Sequence, residues 1–561
     1  MKFAIQEYIS LLRESGEFDV LLPDLLLSMG FETVSTPQVG VRQFGVDIAA
    51  VGRNPISSEA EALFLFVVKP GNITRSEWSQ ERTGVRASLE EVLDAYIPGN
   101  ISPEHAELSI VIVLCCSGEL RQEVDSNWAG FTSKQQSKYE VSFQLWNGSR
   151  ITSLIEQWMM SEQLFPASYR KSLRRTLALL ADADYDMSDF YSLIENLLRV
   201  DLEGNRTRSK AESVKSIRAL ILSARMVHTW CEDAGNMRAA LLASERLLLR
   251  LWSWLADHEL LEDRDFVKLL ASAYSVYERA GYAIVERVSA VATNRDGLYG
   301  YGYDEVTYQI RTFEVLGIIA TIGMDQVYRY QYSGIEQHAE ASEAVARVLV
   351  ALIDNNPSAV TPVFDGHAID IAACLLLLYH TGHRNFAEQW IQLLARNISA
   401  GHALGRYYPI QTDSYEDLVE LIHGHGRNSE LLGLSTILPL LAGWCLILDS
   451  AEVYQQIWRI VSGPLSETNL QLWYPDARTE ELLYSGCASN DSGFSVHSIV
   501  LPDAMAEFRS KLYEQVAAVS PYLGFSFQSA GMQIIGLVAS RHFRTEHIPA
   551  YWQSLILGSE D

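Results

Sequence analysis

Cysteine is scarce in this chain. There are six in 561 residues, Cys115 and Cys116 stand side by side, and no Cys-x-x-Cys pair occurs. Such spacing excludes a disulfide framework and a paired-thiolate metal site, and it predicts a reducing, cytoplasmic setting. Basic residues are also in short supply, 44 Lys and Arg against 70 Asp and Glu, for a net charge of −26. A protein this acidic is no bulk binder of nucleic acid, so any contact with DNA or RNA must use a local patch. Membrane-length apolar runs are lacking too. The nearest is 431–448, LLGLSTILPLLAGWCLIL, which carries no charge but is interrupted by Gly433, Ser435, Thr436, Pro439 and Gly443. It predicts a buried helix in a large core, and no membrane partner. The opening MKFAIQEYISLLRESGEF reads as an amphipathic helix, because Glu7, Arg13 and Glu14 interrupt any signal-peptide core. No fixed repeat period emerges along the chain.

What is present is apolar material: 48% hydrophobic and 10% aromatic residues with 20% charged. That excludes wholesale disorder, and the length calls for two or more domains. Two textures meet near residue 160. Before it, short runs rich in β-branched and aromatic residues alternate with helical stretches: FETVSTP (31–37), GVDIAAVG (45–52), ALFLFVVKP (62–70), a helix from about Glu77 to Tyr96, LSIVIVLCC (108–116), a short helix from about Glu119, YEVSFQLWNG (139–148) and a helix from Ile151. The nearly continuous apolar run at 108–116 suits a central strand covered on both faces. These elements predict an α/β domain over 1–162, a mixed sheet flanked by helices. After it, helical periodicity dominates, and 163–561 is expected to be an all-helical domain of one or two lobes, serving as a sensor, in oligomerisation or in docking a protein partner.

The sharpest chemical signal lies in the first 70 residues. FDVLLPDLLLSMGF (18–31) is a helix ending at a glycine before a strand, followed by TPQVGVRQFGVDIAAVG (36–52) and FVVKPG (66–71). Asp47 opens the second strand and Lys69 closes the third. Antiparallel neighbours can bring such residues to one sheet edge. There a carboxylate can hold a hard divalent cation, and a lysine can orient a hydroxide and offset phosphate charge.

This pattern resembles the Mrr-like restriction endonuclease branch of the PD-(D/E)xK nuclease superfamily. Phe18–Asp19 matches the Phe-Glu helix start, Met29–Gly30–Phe31 the helix end, Gly45–Val46–Asp47–Ile48 the Gly-Val-Asp core, and Lys69 the lysine. Trp146–Asn147–Gly148–Ser149–Arg150–Ile151 resembles the end of such domains. The resemblance covers about 160 residues and implies a restriction-endonuclease-like fold, Mg²⁺ or Mn²⁺ as cofactor, and DNA cleavage in restriction or antiviral defence. It implies Asp47, Lys69 and Asp19 as catalytic residues. The chain departs from the pattern at Val67, where the second acid or glutamine should stand. Three readings stay open: a helix glutamate, Glu77 or Glu81, supplies the ligand; Asp19 and Asp47 hold metal without it; or the domain is a degenerate scaffold that binds nucleic acid or protein.

Other features read more plainly. His380-Thr-Gly-His383 and His423-Gly-His425 lack partners at zinc spacing. Cys115 and Cys116 suit core packing. Gly297–Tyr303 is a loop without the strand–loop–helix context of a phosphate site. The basic run Arg206, Arg208, Lys210, Lys215 and Arg218 is a solvated helix face or a DNA-phosphate contact, and YRKSLRR (169–175) is of the same kind.

Overall fold

The computed structural model of the chain describes residues 2–12, 17–35, 44–53, 61–81, 84–159, 167–182, 185–199, 209–302, 304–405, 409–423, 429–484, 494–496, 499–545 and 548–557. The chain divides into two compact units, residues 1–243 with 262–272, and residues 244–261 with 273–561.

The first unit runs α1 (Lys2–Leu11), α2 (Asp19–Ser28), β1 (Glu32–Ser35), β2 (Ile48–Arg53), β3 (Glu61–Lys69), α3 (Arg75–Ser79), α4 (Val85–Glu91), α5 (Ile97–Asn100), β4 (Ser109–Cys116), α6 (Gln122–Tyr139), β5 (Ser142–Trp146), α7 (Gly148–Trp158), α8 (Ala167–Leu179), α9 (Ser188–Arg199) and α10 (Lys210–Ala234). The sheet is mixed, in the order β1-β2-β3-β4-β5. β1 to β3 form an antiparallel meander, while β3, β4 and β5 run parallel. β3 and β4 occupy the centre because EALFLFVVK and SIVIVLCC are apolar on both pleat faces, so only strands covered on both sides suit them. One face (Leu63, Leu65, Val67, Ile112, Leu114, Cys116) packs against Trp78, Leu89, Val124 and Phe131 from α3, α4 and α6. On the other face Phe31, Phe64, Phe66 and Trp146 form a chain of ring contacts at 5.0, 6.2 and 5.3 Å. There α1 and α2 pack on α7, α2 on β1 and α7 on β5. Arg225 of α10 holds Asp24 of α2 through a half-buried ion pair at 2.8 Å.

Two local expectations change. The helix expected over 77–96 breaks after Ser79, where Gln80 is extended. Gly84 then packs so closely that a Cβ there would lie 2.3 Å from the Gln80 carbonyl oxygen. The short helix expected from Glu119 is an 18-residue helix, α6.

The division between the units falls inside α11 (Met237–Asp257) and α12 (Arg264–Ser289). The second unit continues with α13 (Glu305–Ser333), α14 (Glu336–Asn355), α15 (Ala368–His380), α16 (Arg384–Ala403), α17 (Tyr415–Ile422), α18 (Ser429–Leu432), β6 (Leu434–Ser435), α19 (Ile437–Leu448), α20 (Ala451–Ser462), β7 (Asn469–Leu470), β8 (Leu472–Tyr474), α21 (Thr479–Leu483), β9 (Phe494–Val496), α22 (Met505–Val519), α23 (Ser526–Ser529), α24 (Ile534–Phe543) and α25 (Ile548–Leu557). It is therefore not purely helical. β6 pairs with β7 and β8 with β9, the latter because Leu472–Trp473–Tyr474 is a fully buried run of strand-favouring residues. α15 is buried almost throughout. It approaches α13 closely because Gly317 and Gly323 leave room; a Cβ at either would lie 2.1 Å from Asp370 Oδ1 or 2.5 Å from Leu377 Cδ2. The apolar segment 431–448 becomes α18, β6 and the buried α19, and among the described residues no helix is long and apolar enough to cross a membrane.

The second unit also buries ionisable groups. Asp365 caps α19 from 71 residues away, accepting from Thr436 N at 2.8 Å, Thr436 Oγ1 at 2.6 Å and Ile437 N at 3.3 Å. Asp370 accepts from Arg544 Nη1 at 3.0 Å. Burial pushes both carboxyls up to about 6, against the opposing pull of the Thr436 hydrogen bonds in one case and the Arg544 charge in the other.

Candidate active site

The site begins with a turn. Phe44 (φ 51°) and Gly45 (φ 80°) both adopt the left-handed region just before Asp47. Gly45 is needed twice over: its φ suits glycine, and a Cβ would lie 2.4 Å from the Ser88 carbonyl oxygen of α4. Buried Val46 anchors the turn in the core. Asp47 then meets β3. Its N–H donates to the Phe66 oxygen at 2.9 Å, and its Oδ2 accepts the Val68 N–H at 2.7 Å. The carboxylate is thus fastened to the β3 backbone one residue before Lys69. Lys69 ends β3, pairs with Cys116 in parallel register, and is half-buried. It makes no hydrogen bond or ion pair among the described residues.

Asp47 is also felt by the neighbouring strand. Burial pushes the Cys115 thiol up, with Cys116 and the Asp47 carboxylate adding to it. Burial pushes Cys116 up to about 12, with Glu119 adding. Both thiols are core groups held in the protonated form at neutral pH.

Of the other expected positions, two are already engaged elsewhere. Val67 is fully buried, in the core cluster that also holds Leu65, Leu114 and Trp78. Glu77 is exposed and turned to its own helix, accepting the Thr74 N–H at 3.1 Å in a capping box. Glu81 is exposed in the turn beyond α3. Asp19 is the first residue of α2 and half-buried; its Oδ1 is buried and has no hydrogen-bond partner among the described residues. Of the expected residues, Asp47 bonds the β3 backbone at Val68, the residue before Lys69. Among the described residues no group of three or more His, Cys, Asp or Glu gathers as a metal cage. The donors suit Mg²⁺ all the same, since this ion is held by one or two carboxylates and keeps several waters. Asp47 provides one carboxylate, and the Oδ1 of Asp19 has no hydrogen-bond partner among the described residues.

Beside Lys69, the loops after β3, β4 and β5 lock together. Gly71 N donates to Ser117 Oγ at 2.7 Å, Gly118 N to Gly71 O at 3.0 Å, and Gly148 N to Gly118 O at 2.7 Å. Glu119 seals this edge at the N-terminus of α7, accepting from Ser149 N at 3.1 Å, Ser149 Oγ at 2.6 Å and the Asn147 side chain. Sequence reasoning does not reach Glu119, because its partners lie 28 to 30 residues away and no local spacing marks the pairing.

Of the basic run, Arg206 and Arg208 lie outside the described residues. Lys210 is held between Asp263 and Asp265, at 2.8 Å each, which makes it a surface ion-pair cation rather than an open phosphate contact. Among the histidines, His383 faces Glu343 at 3.3 Å, and His423 Nδ1 lies 2.8 Å from the Val419 carbonyl oxygen. His425 lies outside the described residues.

Comparison with protein-family models, with curated proteins and with solved structures found no match.

Proposed function

We propose that this chain is a metal-dependent endonuclease acting on DNA, with Asp47, Asp19 and Lys69 at its centre. The observation that carries the reading is the Asp47 carboxylate fixed to the Val68 N–H, one residue before a half-buried lysine without a partner among the described residues. A five-stranded mixed sheet with helices on both faces supports it. Asp47 and Asp19 would hold Mg²⁺ or Mn²⁺, which supplies a water acidified for attack on phosphorus. Lys69 would neutralise charge on the phosphoryl oxygens. Restriction or antiviral defence is the role that suits such an activity, with the second unit regulating it through a protein partner or self-association. The test is nicking of supercoiled plasmid by the purified full chain with Mg²⁺, with EDTA, and with Lys69→Ala. Cleavage that needs metal and is lost in the variant supports the proposal; cleavage unaffected by either overturns it.

A second reading has its own support. The buried Val67 and Glu77, taken up in capping its own helix, favour a nuclease-fold scaffold that binds nucleic acid or protein without cutting. DNA binding by a wild-type chain that leaves plasmid intact with Mg²⁺ or Mn²⁺ would select it.

A further inference from the structure

The clearest departure from the acidic background lies on α8. ASYRKSLRRTLAL holds Arg170, Lys171, Arg174 and Arg175 and no acid. At 3.6 residues per turn the four cations fall within one side of the helix. Leu173 and Thr176 are buried on the opposite side, in the packing with α9 and α10. Lys171 and Arg174 are exposed. Neither makes a hydrogen bond or ion pair among the described residues. Arg175 is 60% exposed and reaches Asp189 at 3.4 Å, and Arg170 is half-buried. Asp189, beyond the C-terminal end of α8, meets Arg175 at the end of the face rather than its middle. Lys210, by contrast, is already matched by two aspartates.

We infer that the basic face of α8, with Lys171 and Arg174 at its centre, is a docking surface for the phosphate backbone of duplex DNA. The charge selects a polyanion. Four cations within about one and a half turns, about 7.5 Å of rise, match the dense phosphate charge of a duplex groove wall. No aromatic side chain shares the exposed face, so base stacking is not its mode, and the contact is to backbone. The choice of DNA as the polyanion rests on the proposed function, but the surface does not depend on the chemistry at Asp47. It gives an acidic protein the local patch that binding a polyanion requires.

The experiment measures binding of the full chain to a fluorescent DNA duplex by anisotropy, in EDTA, from about 50 to about 300 mM salt. The double variant Lys171→Gln/Arg174→Gln is expected to weaken binding by roughly 60-fold at 0.1 M salt, about eightfold per lost phosphate contact, and to flatten the log–log salt slope by about 1.8. Lys171→Arg should retain binding, and circular dichroism should be unchanged, since neither side chain is in the core. Unchanged binding in the double variant overturns the inference, as does wild-type binding to phosphatidylserine vesicles but not to duplex. The two proposals separate cleanly. A double variant that loses binding beside a wild type that never cleaves keeps the docking surface and removes the nuclease. A double variant that binds and cleaves like the wild type does the reverse.

Discussion

Asp47 can be tested so that its structural and chemical roles part company. Its Oδ2 accepts the N–H of Val68, a residue only 1% exposed. In Asp47→Ala that N–H loses a charge-assisted bond in a place water does not reach, a loss of about 1.5–3 kcal/mol. In Asp47→Asn an amide oxygen can still accept the same N–H, so the loss should be nearer 1 kcal/mol, the net worth of a neutral bond. Hydrogen exchange read by mass spectrometry on a peptide spanning residues 61–70 reports this directly. A 2 kcal/mol local loss speeds exchange of the Val68 amide about 30-fold, and 1 kcal/mol about fivefold. A global melting point is a poorer readout, because a chain of two units need not unfold in one step. Activity should follow a different order. Both variants lack the charge that would hold a divalent cation, so both should lose plasmid nicking by about three orders of magnitude or more. The reasoning fails if Asp47→Asn nicks at the wild-type rate, since a neutral amide cannot replace the anion. It fails separately if Asp47→Ala leaves exchange at Val68 unchanged.

Three further outcomes follow from the same geometry. Lys69→Ala should abolish cleavage while leaving exchange in β3 nearly unchanged, because the side chain ends the strand half-buried without a partner among the described residues; a loss of β3 protection would mark it as structural. Gly45→Ala should destabilise the turn that presents Asp47 by about 1–3 kcal/mol, through its φ of 80° and the 2.4 Å approach to Ser88, and wild-type hydrogen-exchange protection over residues 44–53 in that variant would contradict it. Asp365 and Asp370 set a pH dependence in the second unit. Their folded values near 6 lie above the unfolded value near 4, so the folded state holds the extra protons. The stability they contribute is present below about pH 4 and is lost as pH rises through about 6, by about 2–3 kcal/mol per group. Asp370→Asn, which keeps an acceptor for Arg544, should remove about half of that slope when exchange in residues 437–448 is followed between those pH values; an unaltered slope would refute the assignment.

The residues that make the sheet are legible in the sequence because burial on both faces demands unbroken apolar strands. ALFLFVVKP and LSIVIVLCC therefore declare the central strands without any knowledge of their neighbours. The same holds for Asp47 and Lys69, whose places at strand ends follow from local turn and strand patterns. Buried α19 was legible by the same logic, from an uncharged run broken by Gly and Pro. Helix ends were less so. The break between Ser79 and Val85 depends on Gly84 packing against Gln80, and the pairing of β8 with β9 depends on a partner twenty residues on, neither of which a periodic pattern records.

What the tertiary structure alone decided is which polar groups are engaged. The sequence offers Asp19, Glu77 and Glu81 as equivalent acids, but a carboxylate's role is set by the donors within about 3 Å of it, and those are chosen by folding. Glu77 turns back to Thr74, Asp19 keeps an oxygen without a partner among the described residues, and Val67 closes the core where an acid was expected. Lys210 and Lys171 look alike as letters in basic runs. Folding sets Asp263 and Asp265 against the first and leaves the second open on the face of α8, because long-range charge pairing depends on which helices meet and not on the spacing within either one.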